Sequence, residues 1–307
     1  GFKRLNGSQL KKENITYILN TLKSKITEIE EQKKILHIFN SKYLLDKSKI
    51  DNLPIGLFGN FYSQELSFFL IDINDFKNLK KIFDNCNLKI KKIISKNFLE
   101  GTQIIDNFPN EETFFRIEIS EDEIEILYFE NSALKFNQNF KFGSNLILND
   151  ISKVIALKLN IVKKILTNLD FSKENLEDSY IEKDFFINEN FRKIKKKLIF
   201  DIAKARIEEI AEITIFKNIN VQSFLSKDLK IFLKFTNNKN IKCMDDIYKI
   251  VFSKENKFDL NFLEDFDLDE TYKSADKLVQ FGWKKEAVPV VQEKKSLIAR
   301  FFDLFFN

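Results

Sequence analysis

Segments with a helical spacing of apolar residues alternate with short strand-like segments along almost the whole chain. The first helical pattern covers about residues 11–30, where isoleucine and leucine recur three or four positions apart. Three strand-like segments follow one another at 113–119, 123–130 and 133–140. Helices interleaved with strands in this way restrict the fold to the α/β class.

The same patterns predict the remaining elements of the chain. Further strands are expected at 35–39, 43–45, 65–73, 88–94 and 229–235, and helices at 76–83, 97–105, from 145, 190–217, 241–252 and 269–281. A chain of 307 residues can bury a large core and is expected to form two or more subdomains.

Glycine is scarce, with seven glycines and three prolines in the chain. Loops that cradle phosphate use glycine because the backbone must turn sharply and approach the phosphate oxygens closely. Neither G-x-G-x-x-G nor G-x-x-x-x-G-K-[ST] occurs. The sequence therefore argues against the common dinucleotide-binding and P-loop sites.

Other residue types limit the chemistry further. His37 is the only histidine, which excludes a multi-histidine metal site, argues against a Ser-His-Asp triad, and favours a structural role. Cys86 and Cys243 fit no zinc spacing motif and suit a reducing compartment. The net charge is only +4, and the basic run 193–197 lacks interleaved aromatic residues, so nucleic-acid binding is not expected. No catalytic residue or metal ligand is predicted.

Residues 294–307 have the pattern of an amphipathic helix. Five large apolar residues share one face, and three basic residues accompany them: Leu297, Ile298, Phe301, Phe302 and Phe305, with Lys294, Lys295 and Arg300. Pro289 separates this segment from the helix before it. The pattern suits a helix lying in the headgroup layer of a membrane, and equally a terminal helix packed onto its own domain. No apolar run is long enough to span a bilayer.

Several blocks in the chain carry a family resemblance through their order and spacing. They are Ile35-Leu-His-Ile38, Asn52-Leu-Pro-Ile-Gly-Leu-Phe-Gly59, Asn78–Ile90, Ala133-Leu134 with Gly143, Asn149-Asp-Ile151, Ala203-Lys-Ala-Arg-Ile-Glu-Glu-Ile210 and the 294–307 segment. Together they resemble FtsA, the actin-like protein that anchors the bacterial division ring to the membrane. The resemblance implies an α/β actin-like fold of ribonuclease-H-like lobes with an inserted small α+β subdomain.

The resemblance also implies a domain order. Residues 1–60 would be the inserted small subdomain, 61–107 the remainder of the first lobe, 108–283 the second lobe, 284–293 a linker, and 294–307 the membrane-targeting helix. No segment before Phe2 matches the family's first phosphate loop, so the first lobe is expected to be incomplete in this sequence.

The family binds ATP and Mg²⁺ through a second, glycine-rich phosphate loop, which the resemblance places at Glu118–Glu125. Here Ser120, Glu121 and Asp122 replace its three glycines. Each contact between like charges at about 4 Å costs on the order of 4 kcal/mol at an effective dielectric constant near 20. Weak or absent ATP binding, and no enzymatic activity, are therefore expected. The family's other nucleotide positions correspond to Lys204, Asn237 and Asn238.

An alternative remains open, namely an ATP-binding enzyme of the actin and sugar-kinase superfamily with an atypical phosphate loop. In that hypothesis Glu118 and Glu125 hold magnesium, and Lys204 lies near the adenine.

The resemblance implies protein and lipid partners as well. Arg192, Arg206 and Glu209 match positions that contact the C-terminal peptide of FtsZ, and the spacing predicts both arginines on one face of one helix. A solvated basic face explains the same residues equally well. The implied protein is a peripheral one on the cytoplasmic face of the inner membrane at the division site. It would bind anionic lipids, assemble into filaments, and recruit other division proteins.

Overall fold

The computed structural model describes residues 1–169, 171, 176–186, 190–225, 229–236, 244–256 and 258–289. They divide into two compact units, which are treated separately. Unit 1 comprises Gly1–Thr113, Phe129–Phe136 and the described residues from Phe266 on; unit 2 comprises Phe114–Tyr128 and the described residues of Asn137–Asp265.

The strands and helices are numbered along the chain. The strands are Phe2–Arg4 (β1), Lys33–Leu45 (β2), Ser48–Ile50 (β3), Phe61–Asp72 (β4), Phe114–Ile119 (β5), Ile124–Glu130 (β6), Ala133–Phe140 (β7), Lys230–Phe235 (β8), Asp259–Leu263 (β9) and Glu286–Pro289 (β10). The helices are Lys12–Ile29 (α1), Ile73–Asn85 (α2), Lys96–Asn107 (α3), Asn145–Ile155 (α4), Leu159–Asn168 (α5), Lys196–Ala211 (α6), Asp245–Asn256 (α7) and Leu268–Phe281 (α8).

Unit 1 is built on an antiparallel sheet in the order β1-β4-β2-β10, with β3 paired to β2. The two strands predicted at 35–39 and 43–45 are one continuous strand, β2. Its pairing with β4 shifts register between Ile35 and His37 and again between Asn40 and Lys42. These irregularities absorb the extra residues that break the apolar alternation, so the strand continues through them.

Helix α1 covers unit 1's small core with the predicted apolar stripe. Ile18 is buried, and Ile15 and Leu22 pack against the same cluster, which includes Leu10 and Tyr62. Helix α3 is buried from Phe98 to Ile105. A Cβ on its Gly101 would lie 1.9 Å from the Phe129 ring, so only glycine allows the helix to approach that ring.

Two predicted boundaries fall within this unit. The boundary between residues 60 and 61 lies at the start of β4, a strand of the same sheet as β1 and β2. Strand β10 lies inside the segment 284–293 that the sequence presents as a linker, and it pairs with β2 through Glu286↔Phe39 and Pro289↔His37.

The sheet of unit 2 has the order β7-β6-β5-β8-β9, and residues 129–136 of β6 and β7 belong to unit 1. Strand β8 is parallel to both β5 and β9. Every residue of β5 is buried, as expected for a central strand with both faces covered. Counted along the chain, the sheet runs third, second, first, fourth, fifth, which is the order of a ribonuclease-H-like lobe. The predicted α/β, actin-like fold class is confirmed.

The long helix predicted at 190–217 is shorter in the structure. Helix α6 begins at Lys196 and is followed by a π-helical turn at Glu212–Phe216. The residues before Lys196 are extended because the Ile181 N–H donates to the Ile194 carbonyl (2.9 Å) and the Lys196 N–H to the Ser179 carbonyl (3.0 Å). The helical prediction for 190–195 was wrong because this pairing with residues far along the chain commits their backbone groups.

Candidate functional site

The acidic turn between β5 and β6 lies where the resemblance places a phosphate loop. The Ser120 N–H donates to the Glu123 carbonyl (2.9 Å), and the Ser120 hydroxyl accepts a hydrogen bond from the Glu123 N–H (3.0 Å). Glu121 is half-buried, whereas Asp122 and Glu123 are exposed. Lys163 lies 3.7 Å from Glu121, and Lys141 pairs with Glu123. Lysines therefore offset part of the negative charge of the turn.

The start of helix α4 binds this turn instead of leaving its N–H groups open. The Ser144 N–H donates to the Ser120 carbonyl (3.0 Å), and the Asn145 N–H donates to the Glu121 carbonyl (2.9 Å). The Asn145 amide also donates to the Asp122 carboxylate (2.9 Å). N–H groups at a helix start are those that bind anions in other proteins, and here these two already have backbone acceptors.

Gly143 makes this arrangement possible. A Cβ at this position would lie 2.4 Å from the Ser120 carbonyl oxygen and 2.7 Å from that of Glu121. Both neighbours are backbone atoms, so they cannot move aside as a flexible side chain could. The glycine is required for close packing of the turn against α4.

A buried arginine, Arg116 of β5, holds the two carboxylates that the alternative hypothesis assigns to magnesium. Its side chain is fully buried; it pairs with Glu118, and its Nη1 lies 3.1 Å from the Glu125 Oε2. Glu118 also accepts a hydrogen bond from the Thr236 hydroxyl. Glu118 and Glu125 thus share a guanidinium as their counterion, and the sequence analysis did not single out this arginine.

The remaining predicted nucleotide positions are Lys204, Asn237 and Asn238. Lys204 lies on α6, where its ammonium is 3.9 Å from the Glu208 carboxylate, one turn further along. Asn237 and Asn238 lie outside the described residues. Within the described part of the chain, no group of three or more histidine, cysteine, aspartate or glutamate side chains is arranged to hold a metal ion.

The predicted peptide-binding residues are not on one helix. Arg206 and Glu209 lie on α6, with 2.5 Å between the Arg206 Nη1 and the Glu209 Oε2, whereas Arg192 lies in the extended segment before that helix. The Arg192 Nη2 donates to the carbonyl of Ala156 (2.6 Å), the residue with φ of 52° that ends α4. The expected shared helix face is therefore corrected: helix α6 begins four residues too late to include Arg192.

Arg206 is part of an ion cluster that joins α6 to α4. It pairs with Asp150 of α4 as well as with Glu209, and the hydrogen bond that it donates to Asp150 is the main reason that the pKa of the Arg206 guanidinium is raised. Asp150 belongs to the Asn149-Asp-Ile151 block, but no local pattern in the sequence indicates that it faces Arg206. Any carboxylate that binds Arg206 from outside would compete with Asp150.

His37 has the structural role predicted for it, within a buried network of unit 1. Its Nε2 accepts the Ser95 N–H (3.1 Å), so the proton is on Nδ1, which donates to the Glu286 carboxylate (2.7 Å). The Lys92 ammonium lies 2.8 Å from the other oxygen of Glu286. Burial alone would raise the pKa of the Glu286 carboxyl, but the His37 hydrogen bond and the Lys92 charge bring that pKa below its ordinary value.

A cavity of about 550 Å³ lies in unit 1 between α1 and the start of β10. Its lining includes Ile15, Leu19, Tyr43 and Lys285. The Lys285 ammonium lies 5.5 Å from the centre of the Tyr43 ring, and burial lowers the pKa of Lys285 while raising that of Tyr43 to about 12. None of the residues predicted to form a site lines this cavity.

The residues predicted to contact a membrane, Lys294 to Phe305, lie outside the described residues. Among the helices that are described, none has both the length and the apolar content required to cross a bilayer.

Comparisons with known proteins find relatives at low sequence identity. The cell division protein FtsA of Neisseria meningitidis serogroup B is 23% identical over 189 residues, which cover 61% of this chain and 46% of that protein. The match thus spans about half the length of this curated relative. No family model matches the chain.

Solved structures resemble the chain at low identity. They include a PilM–PilN type IV pilus biogenesis complex (8% identity, TM-score 0.45, covering 91% of this chain and 73% of that chain). They also include MreB5 of Spiroplasma citri bound to AMPPNP (12% identity, TM-score 0.41, covering 68% of this chain and 65% of that chain).

Proposed function

We propose that this protein is a cell-division adaptor of the FtsA type, which tethers an FtsZ filament to the cytoplasmic face of the inner membrane. The observation that carries the proposal is the amphipathic pattern of residues 294–307. The 23% identity to a cell division protein, FtsA, supports it, and the resemblance described above implies the same role for the 294–307 segment. Assembly through the small subdomain and recruitment of other division proteins belong to the same proposal.

The strength expected of such a tether is modest. Each large apolar side chain contributes at most about 1.5–3 kcal/mol on burial, and each nearby lysine or arginine adds about 1 kcal/mol on an anionic leaflet. Ordering of the helix offsets part of this gain. A single protomer is therefore expected to bind reversibly, and a filament that presents many tails would bind much more tightly through avidity.

Liposome flotation tests the tether directly. The variant Phe301→Asp/Phe302→Asp should lose flotation with vesicles that contain anionic lipid, because two carboxylates would enter the apolar layer. A matched control is Tyr272→Asp/Phe281→Asp, which makes the same change of charge and removes two exposed aromatic rings of α8. Equal flotation of the tail variant and the wild type would refute the proposal. High salt should release the wild type only in part, because salt screens the lysines but not the rings.

The partner peptide is proposed to bind along α6 at Arg206. An acidic FtsZ C-terminal peptide would exchange its carboxylate for Asp150, the present partner of Arg206. Arg206→Ala should weaken binding by about tenfold or more, since a hydrogen bond to a charged group contributes about 1.5–3 kcal/mol. Asp150→Asn should strengthen binding by removing the competitor.

Anisotropy of a fluorescent peptide measures these affinities. Lys204→Ala removes a different cation of α6, one that is paired with Glu208, and is the control. Unchanged affinity in Arg206→Ala, or weaker affinity in Asp150→Asn, would contradict this binding mode.

We further propose that the protein acts without ATP hydrolysis and binds ATP weakly or not at all. The contacts that support this are the carbonyls of Ser120 and Glu121 on the start of α4 and the guanidinium of Arg116 between Glu118 and Glu125. A phosphate would have to displace these groups. Calorimetry with ATP and Mg²⁺ tests the proposal, and heat that saturates at micromolar nucleotide would instead support the enzyme hypothesis.

A further inference from the structure

Helix α2 ends in a surface that is both apolar and basic. Every residue from Lys80 to Lys89 is exposed, and Phe76 is the only residue of α2 that is buried. The surface is defined here by three apolar residues and four lysines: Ile82, Phe83 and Leu88, with Lys80, Lys81, Lys89 and Lys91. It is called the α2 surface below.

The backbone at the end of α2 brings Leu88 back to the last turn of the helix. Asn87 has φ of 55°, a left-handed conformation that asparagine adopts more readily than most residues. Its N–H donates to the Asp84 carbonyl (3.0 Å), and the Leu88 N–H donates to the Phe83 carbonyl (2.9 Å). This is the Schellman arrangement, which turns the chain back so that Leu88 returns to the last turn of the helix beside Phe83.

Exposed apolar side chains among mainly basic residues indicate an interaction surface. Ile82 is 61% exposed, Leu88 is 55% exposed, and residues 75–91 contain five lysines against two aspartates. Lysine side chains can lie along an apolar surface while their ammonium groups reach anionic headgroups. The excess of lysines complements the charge of an anionic leaflet, and exposed apolar side chains can insert among its lipids.

We infer that the α2 surface is a second membrane contact, which inserts Ile82, Phe83 and Leu88 shallowly into an anionic leaflet. The inference rests on the proposed membrane attachment and adds a second point of contact on unit 1. Two contacts on one chain would act together, since binding of the first raises the effective concentration of the second at the bilayer. The pair would also fix the orientation of unit 1 relative to the membrane.

Exposed Cys86, at the end of α2, is a ready position for a probe. In a Cys243→Ser chain, an environment-sensitive fluorophore on Cys86 should shift to the blue when vesicles of phosphatidylcholine and phosphatidylglycerol are added. Vesicles of phosphatidylcholine alone should cause a much smaller shift. A fluorophore at Ile29→Cys, in a Cys86→Ser/Cys243→Ser chain, is the control. Ile29 is 75% exposed at the end of α1, beside Glu28 and Glu30, and should stay in water.

Substitution provides a second measurement. Ile82→Ser/Leu88→Ser should weaken binding of the intact chain to the anionic vesicles by about tenfold, because two apolar side chains no longer insert. Ile29→Ser/Leu268→Ser removes an isoleucine and a leucine of similar exposure elsewhere on unit 1 and should leave binding unchanged. Emission from Trp283 checks that each variant is folded.

The outcomes separate this inference from the proposed tail. If the intact chain floats while the Cys86 probe stays in water and Ile82→Ser/Leu88→Ser binds normally, the α2 contact is overturned and the tail stands. If the Cys86 shift persists in Phe301→Asp/Phe302→Asp at higher protein concentration, the α2 contact stands independently of the tail. If the intact chain binds neither kind of vesicle, the α2 contact and the proposed tail are both overturned.

Discussion

The buried network of His37, Glu286 and Lys92 predicts a large loss of stability when its cation is removed. The side chains of Lys92 and Glu286 are 1% and 3% exposed, and 2.8 Å separates the ammonium from the nearer carboxylate oxygen. At an effective dielectric constant near 20, the attraction at this distance is about 6 kcal/mol. Lys92→Met removes it and leaves a buried carboxylate with only the His37 hydrogen bond, so a loss of about 3–5 kcal/mol is expected.

The double variant Lys92→Met/Glu286→Gln isolates the cause of that loss. The glutamine amide oxygen can still accept the hydrogen bond from His37, and no buried charge is left without a counterion. It should therefore recover most of the stability that the single variant loses. A simple loss of lysine packing predicts no such recovery.

Trp283 makes the measurement specific to unit 1. It is the only tryptophan, it is buried, and its Nε1 donates to the Ser132 carbonyl (2.7 Å). Urea unfolding followed by tryptophan emission should show a midpoint about 2 M lower for Lys92→Met, at a slope of about 2 kcal/mol per molar urea. A loss under about 1 kcal/mol in Lys92→Met, or a double variant no more stable than the single one, would refute the reasoning.

Three more predictions concern the two units separately. The folded-state pKa of the Glu286 carboxyl is lowered, so its contribution to the free energy of unfolding is present above the ordinary pKa of 4.5 and is lost as pH falls below that value. The urea midpoint measured by Trp283 emission should therefore drop at acidic pH, and it should drop less in Lys92→Met/Glu286→Gln. Gly143→Ala should destabilise unit 2 by about 2 kcal/mol, because the new Cβ overlaps two backbone oxygens; unchanged hydrogen exchange of β5 amides would contradict this. Arg116→Met should lower the free energy of unfolding of unit 2 by about 3–5 kcal/mol, measured by circular dichroism in urea. The triple variant Arg116→Met/Glu118→Gln/Glu125→Gln should recover most of this stability. A triple variant as unstable as the single one would rule out charge as the cause.

Local sequence pattern was sufficient to predict the helices and strands in which the spacing of apolar residues matches the buried positions. Helix α1, predicted at 11–30, is found at Lys12–Ile29, and α8, predicted at 269–281, is found at Leu268–Phe281. The three successive strands of unit 2 were also predicted, because their apolar residues are continuous and turn residues separate them. The glycine-free acidic turn between β5 and β6 was recognised from three adjacent residues.

Features that depend on distant residues could not be predicted from local pattern. The start of α6 is set by hydrogen bonds to Ser179 and Ile181, so the helical pattern before Lys196 was misleading. Strand β10 is four residues long and is defined only by its pairing with β2. The partners of His37 lie 58 and 249 positions away. No periodicity carries information over such separations.

If residues 294–307 tether the protein to a membrane as proposed, tension would enter the described fold at β10. The chain leaves the described part of unit 1 directly after Pro289, which pairs with His37, three residues beyond the carboxylate of Glu286. A force exerted by a membrane on residues 294–307 would act first on the strand pairing of β10. It would act next on the buried contacts of Glu286 with Lys92 and His37. The sheet of unit 1, rather than a slack connector, would carry the mechanical load between bilayer and filament.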